Sequence, residues 1–248
     1  MFLAVDIGNT RTNLVLFDSD KIIQSVGFET LNSADKNFYK IELKSLFQDY
    51  KISECAIISV VNNMDEIMKD ACDEVFGVNA VILKPDSVSD IKINTKEVKS
   101  VGMDRLANVY AASDYPLPAI VVDIGTAITF DILSADKEFM GGIIMPGVNM
   151  QLKSLALGTS KLPEIEPKES LYAIGNDTET CILSGVVRGT AAAIDGIIEQ
   201  CIEELGDCKT IILTGGQAEF LSKYIKTSFS LINVNLTVIG IKKMFESL

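Results

Sequence analysis

Leu3 to Phe17, LAVDIGNTRTNLVLF, joins an apolar strand to a tight polar turn and then to a second, alternating strand. The plan returns at Val121 to Leu133, VVDIGTAITFDIL, so that Asp6-Ile7-Gly8-Asn9-Thr10 is answered 117 positions later (123 − 6 = 117) by Asp123-Ile124-Gly125-Thr126-Ala127. In both copies a carboxylate ends an apolar run, and a glycine allows a turn tight enough for successive backbone N–H groups to face an anion. One copy alone reads as well as a hairpin whose Asp caps the turn. Two copies in near-equal halves point instead to a duplicated phosphate-binding unit.

With 248 residues and 48% hydrophobic side chains, the chain is long enough for two cores of about 120 residues each. A net charge of −12 argues against nucleic-acid or anionic-membrane partners, which require basic surfaces. A small polyanion brought to two carboxylates needs a cation between them, so magnesium is expected with a nucleotide. Five cysteines without CxxC spacing fit reduced core thiols, and no apolar run is expected to span a membrane, so a cytoplasmic protein is anticipated. The absence of histidine removes Ser-His-Asp triads, HExxH zinc sites and imidazole acid-base chemistry together. Carboxylates are left to handle protons.

In chain order, Lys21 to Glu29 completes a three-strand meander, and helices are expected at Lys36–Asp49 and Met64–Phe76 around a strand at Ala56–Val61. A polar stretch, Pro85 to Lys99, leads into Gly102-Met103-Asp104-Arg105 and a helix to about Ser113. Pro116 and Pro118 place a domain boundary between 116 and 117, giving domains 1–116 and 117–248. The second half repeats the meander at Ala119–Asp123, Ile128–Leu133 and Glu138–Met145, followed by a helix and an exposed loop or flap from Gly158 to Asn176. Thr178 opens a long helix carrying the small-residue stripe Gly185, Gly189, Ala192 and Gly196, a spacing that permits close helix approach. A buried strand at Thr210–Leu213, a turn at Gly215-Gly216, a strand near Leu236–Ile239 and a terminal helix are expected to close the chain.

Two lobes of this kind describe the actin, Hsp70 and sugar-kinase architecture: an α/β fold of two duplicated actin-like (ribonuclease H-like) domains, each a mixed sheet flanked by helices, with the nucleotide cleft between them. Within that class the chain resembles the type III pantothenate kinases almost end to end. The resemblance is carried by the two Asp-Gly turns, Gly102-Met103-Asp104-Arg105, the Gly142–Gly147 turn, Gly175-Asn176-Asp177-Thr178 and Leu213-Thr214-Gly215-Gly216, in that family's order. It implies phosphorylation of pantothenate by ATP, the first step of coenzyme A synthesis, by a homodimer that also uses potassium or ammonium. A nucleotide-binding regulator on the same scaffold is the alternative, against which Asp104 beside Arg105 speaks.

Carried over residue by residue, the resemblance assigns ATP binding to Asp6, Ile7, Gly8, Asn9, Thr10, Arg11, Thr12 and Asn13 and to Thr126, with Asp6 also meeting magnesium directly or through water. Asp123 matches the residue that binds the monovalent cation. Gly102, Met103, Asp104, Arg105 and Thr178 would bind pantothenate, Thr178 from the neighbouring subunit. Asp104 is the expected catalytic base, since in phosphoryl transfer a carboxylate need only orient the hydroxyl and take its proton late. Asp104 also reads as a helix N-terminal acid, Thr12 as a strand residue in simple alternation, and Thr178 as an N-cap. Where the family commonly has a substrate-contacting tyrosine and then a proline, this chain has Thr95 and Val98, leaving Tyr172 or Tyr110 as candidates for the missing aromatic wall.

Overall fold

The computed structural model describes residues 1–31, 35–87 and 90–248; Val88 and Ser89, within the polar stretch expected at Pro85–Lys99, lie outside the described residues. The chain forms two compact units, Met1–Asp114 together with Leu236–Leu248, and Tyr115–Asn235.

The first unit holds strands β1 (Phe2–Ile7), β2 (Arg11–Asp18), β3 (Lys21–Glu29), β4 (Glu54–Ser59), β5 (Val81–Ile82) and the short β6 (Lys92–Ile93), with helices α1 (Lys36–Phe47), α2 (Met64–Phe76) and α3 (Met103–Ala112). Its sheet runs β3-β2-β1-β4-β5, antiparallel through β1 and parallel from β1 onward. Strand β1 is apolar without alternation because both its faces are covered. Leu3, Val5 and Ile7 pack with Tyr39, Leu43 and Phe47 of α1 and Met68 and Cys72 of α2, while Phe2 meets Phe245 at 5.1 Å between ring centroids. β3, by contrast, alternates between exposed and half-buried residues, as suits an outer strand. Asp35 caps α1 by accepting from the Phe38 amide at 3.0 Å, and Gly77, at φ +68°, ends α2.

In the second unit, β7 (Ala119–Ile124), β8 (Ala127–Leu133), β9 (Glu138–Pro146), β10 (Thr210–Thr214) and β11 (Leu231–Ile232) accompany α4 (Val148–Gly158), α5 (Thr178–Leu183), α6 (Gly189–Leu205) and α7 (Ala218–Ser222). The strands run β11-β10-β7-β8-β9, with β7–β8 and β8–β9 antiparallel and β7–β10 and β10–β11 parallel. This is the order of the first unit repeated, so the duplication read from the turns extends through the five-strand core. Ile120, Val122, Ile128 and Phe130 of the sheet share one cluster with Val148 and Leu152 of α4 and Val187, Ile194 and Ile198 of the long helix.

Three expectations change. The segment Leu236–Ile239 is not a strand: it is the first turn of α8 (Leu236–Glu246), and β11 lies earlier. The apolar run is short enough to suit either period, and packing on α3 selects the helix, with Thr237 Oγ1 donating to Asn108 Oδ1 at 2.8 Å. A Cβ at Gly240 would lie 2.5 Å from the Ala107 carbonyl carbon, so this glycine permits the close crossing. The 117–248 division therefore gives way to a second unit from Tyr115 to Asn235, with the terminal helix completing the first. Finally, Cys55 and Cys72 are buried, but Cys181 is exposed, so not every thiol belongs to a core.

Candidate active site

The first turn is built from hydrogen bonds that the sequence only partly announces. Gly8 donates its N–H to the Arg11 carbonyl at 3.0 Å, closing Gly8–Arg11 between the paired residues Ile7 and Thr12. The Gly8 amide is thereby engaged within the turn. Thr30, beyond β3, fastens the turn from beneath: its N–H donates to Thr10 O at 3.0 Å, its hydroxyl donates to Gly8 O at 2.8 Å, and Thr12 Oγ1 lies 2.9 Å from that hydroxyl. Thr12 is fully buried, so its hydroxyl supports the turn from inside, and the Ile7 side chain is likewise in the core. Asn9, Thr10 and Arg11 are exposed. Arg11 Nη2 donates to Gly27 O at 3.0 Å, and Asn13 Nδ2 donates to Asp6 Oδ2 at 3.2 Å, orienting the carboxylate at the end of β1. A Cβ on Gly27 would lie 2.7 Å from Arg11 Nη2 and 2.8 Å from Asn13 Oδ1. Gly27 and Thr30 thus shape the turn without standing in its motif.

The second turn is one residue shorter. Gly125 N–H donates to Ala127 O at 3.0 Å, between the paired residues Ile124 and Ile128. Two distant glycines hold it. Gly147 donates its N–H to Thr126 O at 2.9 Å, and a Cβ there would lie 2.6 Å from that oxygen. Gly215, at φ +88°, leaves no room for a Cβ, which would overlap Asp123 Oδ1 and lie 2.7 Å from Ile124 N and O. Asp123 is half-buried and Thr126 exposed. Thr214 pairs with Asp123 across the parallel β10–β7 ladder, which puts both side chains on the same face. Among the described residues the Thr214 hydroxyl and Gln217 Oε1 are buried with no hydrogen-bond partner, while Gln217 Nε2 donates to Asn149 Oδ1 at 3.2 Å. Buried oxygens in want of a partner, next to a carboxylate, make a donor set suited to a hard cation.

Asp104 stands at the second position of α3, after Gly102, which caps the helix without a side chain. Its Oδ1 accepts from the Arg105 amide at 2.8 Å, and a Cβ on Gly102 would overlap that oxygen. Burial pushes the Asp104 carboxyl above the usual carboxylate range; the Arg105 amide and guanidinium draw it back without cancelling the shift. Arg105 is half-buried, whereas the Met103 side chain lies in the interior, so Met103 has its backbone to offer. Thr95 Oγ1 is buried with no hydrogen-bond partner among the described residues. Tyr110 cannot supply an aromatic wall, because it is buried in the first unit and its hydroxyl accepts from the Asp90 amide at 3.0 Å. Tyr172 remains, 66% exposed.

Thr178 is the first residue of α5, but the cap is Asp177: it accepts from the Thr180 amide at 2.7 Å, and the Thr180 hydroxyl returns toward the Asp177 amide as a capping box. Thr178 is exposed and does not act as the cap. A π-turn, Ser184–Arg188, interrupts the helix between α5 and α6. Among the described residues, no atom outside the immediate helix lies within 4 Å of the place a Cβ would take at Gly185, Gly189 or Gly196, so these three glycines face open space. An open groove of about 980 Å³ runs along this face, lined among others by Ala192, Gly196, Ile198 and Ile202, and none of the expected site residues line it. By length and composition the whole Thr178–Leu205 helix is apolar enough to cross a membrane, contrary to the expectation that no apolar run would span one; Ile182, Val186, Val187, Ile194 and Ile198 place one side of it in the second unit's core.

Among the described residues no group of three or more Cys, Asp and Glu side chains forms a ready-made metal centre. A divalent ion carried by substrate phosphates needs one or two carboxylates, which these turns offer. A profile of the family described as type III pantothenate kinase matches residues 2–200. The chain is 34% identical over 252 residues to the type III pantothenate kinase of Syntrophus aciditrophicus, covering 99% of each, and 36% identical over 251 residues to that of Thermus thermophilus, covering 98% of each. Among solved structures it is similar to a Campylobacter jejuni protein described as a Baf family transcriptional activator (TM-score 0.63, 24% identity, 99% and 98% covered). It is also similar to a ROK family glucokinase from Streptomyces griseus in complex with glucose and AMPPNP (TM-score 0.56, 11% identity, 97% of each covered). These likenesses at low identity agree with the two duplicated actin-like domains expected from the turns.

Proposed function

The chain belongs to the type III pantothenate kinase family, and on that premise we propose how its residues divide the work. The reaction is ATP-dependent phosphorylation of pantothenate in coenzyme A synthesis, and a kinase of this family takes ATP with a divalent metal. The observation that carries the assignment of residues is the pair of hairpin turns at equivalent positions of two sheets, each with a carboxylate at the end of its central strand.

Asn9, Thr10 and Arg11 meet the ATP phosphates on the first turn, and Thr126 meets them on the second. Ile7 and Gly8 contribute backbone, while Thr12 with Thr30 holds the turn rigid. Asp6, oriented by Asn13, takes magnesium directly or through water. Asp123, with the Thr214 hydroxyl on its face, holds potassium or ammonium. Bound there, these cations would supply positive charge to offset that of the nucleotide. Gly102, Met103 and Arg105 bind pantothenate, Arg105 through its fork of donors. Asp104 orients the attacking hydroxyl and accepts its proton, for which a raised carboxyl is better matched than an ordinary one. The working unit is a cytoplasmic homodimer joined through the unopposed small-residue face of α6, with Thr178 reaching the partner's substrate.

ADP release coupled to a spectrophotometric readout tests the reading. Stimulation by pantothenate is expected; nucleotide binding without turnover, or turnover indifferent to pantothenate, would overturn it.

A further inference from the structure

The residues leading to Thr178 are fastened almost one by one to the helix that Thr178 begins. Arg188, at the end of the π-turn, donates from Nη2 to Ser170 O at 2.7 Å and to Leu171 O at 3.3 Å, and from Nε to Ser170 Oγ at 3.2 Å. Its guanidinium stands 5.3 Å from the centroid of the Tyr224 ring, whose hydroxyl accepts from the Ser170 amide at 2.9 Å. Ser170 Oγ donates on to Tyr172 O at 3.2 Å, and Ser184, at the start of the same π-turn, donates to Ala173 O at 2.6 Å. Gly175 then lies against α5 so closely that a Cβ would stand 2.5 Å from the Thr180 carbonyl carbon. The Asn176 and Asp177 amides donate to the Thr180 hydroxyl at 3.1 and 3.2 Å.

The π-turn is what lets Ser184 and Arg188 do this together. One residue inserted into an α-helix turns everything before it by about 100° relative to everything after. The α6 side of the helix is fixed by its core residues Ile194 and Ile198, so the π-turn sets the phase at which α5, and Thr178 with it, is presented. A bulge of this kind sacrifices regular i→i+4 bonding, and the polar bonds of Ser184 and Arg188 to the preceding loop offset that loss.

We infer that Arg188 is a positioning residue for substrate: without touching pantothenate, it clamps the Ser170–Leu171 backbone and Tyr224 onto the π-turn and so fixes the direction of Thr178. The inference rests on the reading of Thr178 as a substrate-binding residue. It deepens that reading by naming what holds the threonine in place.

Steady-state kinetics of the full-length enzyme, with pantothenate and ATP varied separately, provide the test for Arg188→Ala, Arg188→Lys, Thr178→Ala and the Arg188→Ala/Thr178→Ala double variant. Arg188→Ala should raise the KM for pantothenate about tenfold or more, the scale of a lost charge-assisted hydrogen bond, and leave the KM for ATP within about twofold. The double variant should be no worse than Thr178→Ala alone, since both act on one contact. Guanidinium ion should partly restore Arg188→Ala, whereas Arg188→Lys should recover little, because an ammonium lacks the planar fork. A raised KM in Thr178→Ala beside an unchanged KM in Arg188→Ala, or additive effects, would overturn the inference alone. An unchanged KM in Thr178→Ala overturns the reading of Thr178 and the inference with it. Should Arg188→Ala fail to fold, Ser184→Ala removes one hydroxyl from the same clamp: a rise in the KM for pantothenate without one for ATP supports the inference, and no rise refutes it.

Discussion

Asp104 is held in a place that suits chemistry better than stability. Its carboxyl is raised by burial, so the ionised form destabilises the fold. Below the ordinary Asp value of 3.8 both folded and unfolded chains are protonated and no penalty exists; the penalty develops as pH rises through the higher folded value. Asp104→Asn should therefore be at least as stable as the parent at neutral pH by thermal melting, while turnover falls by about 10²–10⁴-fold. In the parent, the acid limb of kcat/KM should lie above the ordinary Asp range. Near-normal turnover in the variant would move the base to Asp6 or Asp123. Asp123 makes a separate prediction: Asp123→Ala should abolish activation by potassium before it weakens nucleotide binding, since Thr214 and Gln217 oxygens alone carry no charge to replace the carboxylate. Equal rates in potassium and in a bulky organic cation, measured on the parent, would dispose of the monovalent site.

At the scale of elements, the two hairpins differ in how they are supported: the first by a threonine from its own meander, the second by glycines from α4's approach and from the end of β10. Gly147→Ala places a methyl against backbone carbonyls that cannot rotate away, and overpacking of that kind costs about 1–3 kcal/mol. The expected result is a lower melting temperature and a raised KM for ATP; an unchanged ATP dependence would detach Gly147 from the site. The hairpins themselves were legible because each side-chain pattern repeats a rule of period and turn chemistry. Gly147 and Gly215 read in the sequence only as turn glycines, and Thr30 carries no reading at all, since the partners they meet lie far along the chain and no local pattern encodes the meeting. The π-turn was equally invisible: SGVVR has ordinary helical character, and the inserted residue is stabilised by Ser170 and Ala173 from a loop. Leu236–Ile239 went astray for the same reason, its helix being selected by α3 and not by its own four residues.

For the whole molecule, the stripe of Gly185, Gly189 and Gly196 is costly in helix propensity, roughly 1 kcal/mol per glycine against alanine, and among the described residues nothing lies within 4 Å of their Cβ positions to make use of the space. A twofold interface would, and would meet any bulky change twice. Gly189→Leu should weaken the dimer in sedimentation, with pantothenate turnover falling although Asp104 and both turns are untouched. A folded monomer with full activity would end the shared-site reading, and a fully active dimer would place the interface elsewhere. The terminal helix carries a consequence of another kind. Domains usually fold as they leave the ribosome, the N-terminal one first. Here the surface of α3 around Ala107 and Asn108 is covered by Gly240 and Thr237, which are translated after the whole of Tyr115–Asn235. That face of α3 must wait, bare, through the synthesis of everything between, and the unit begun first is the one finished last.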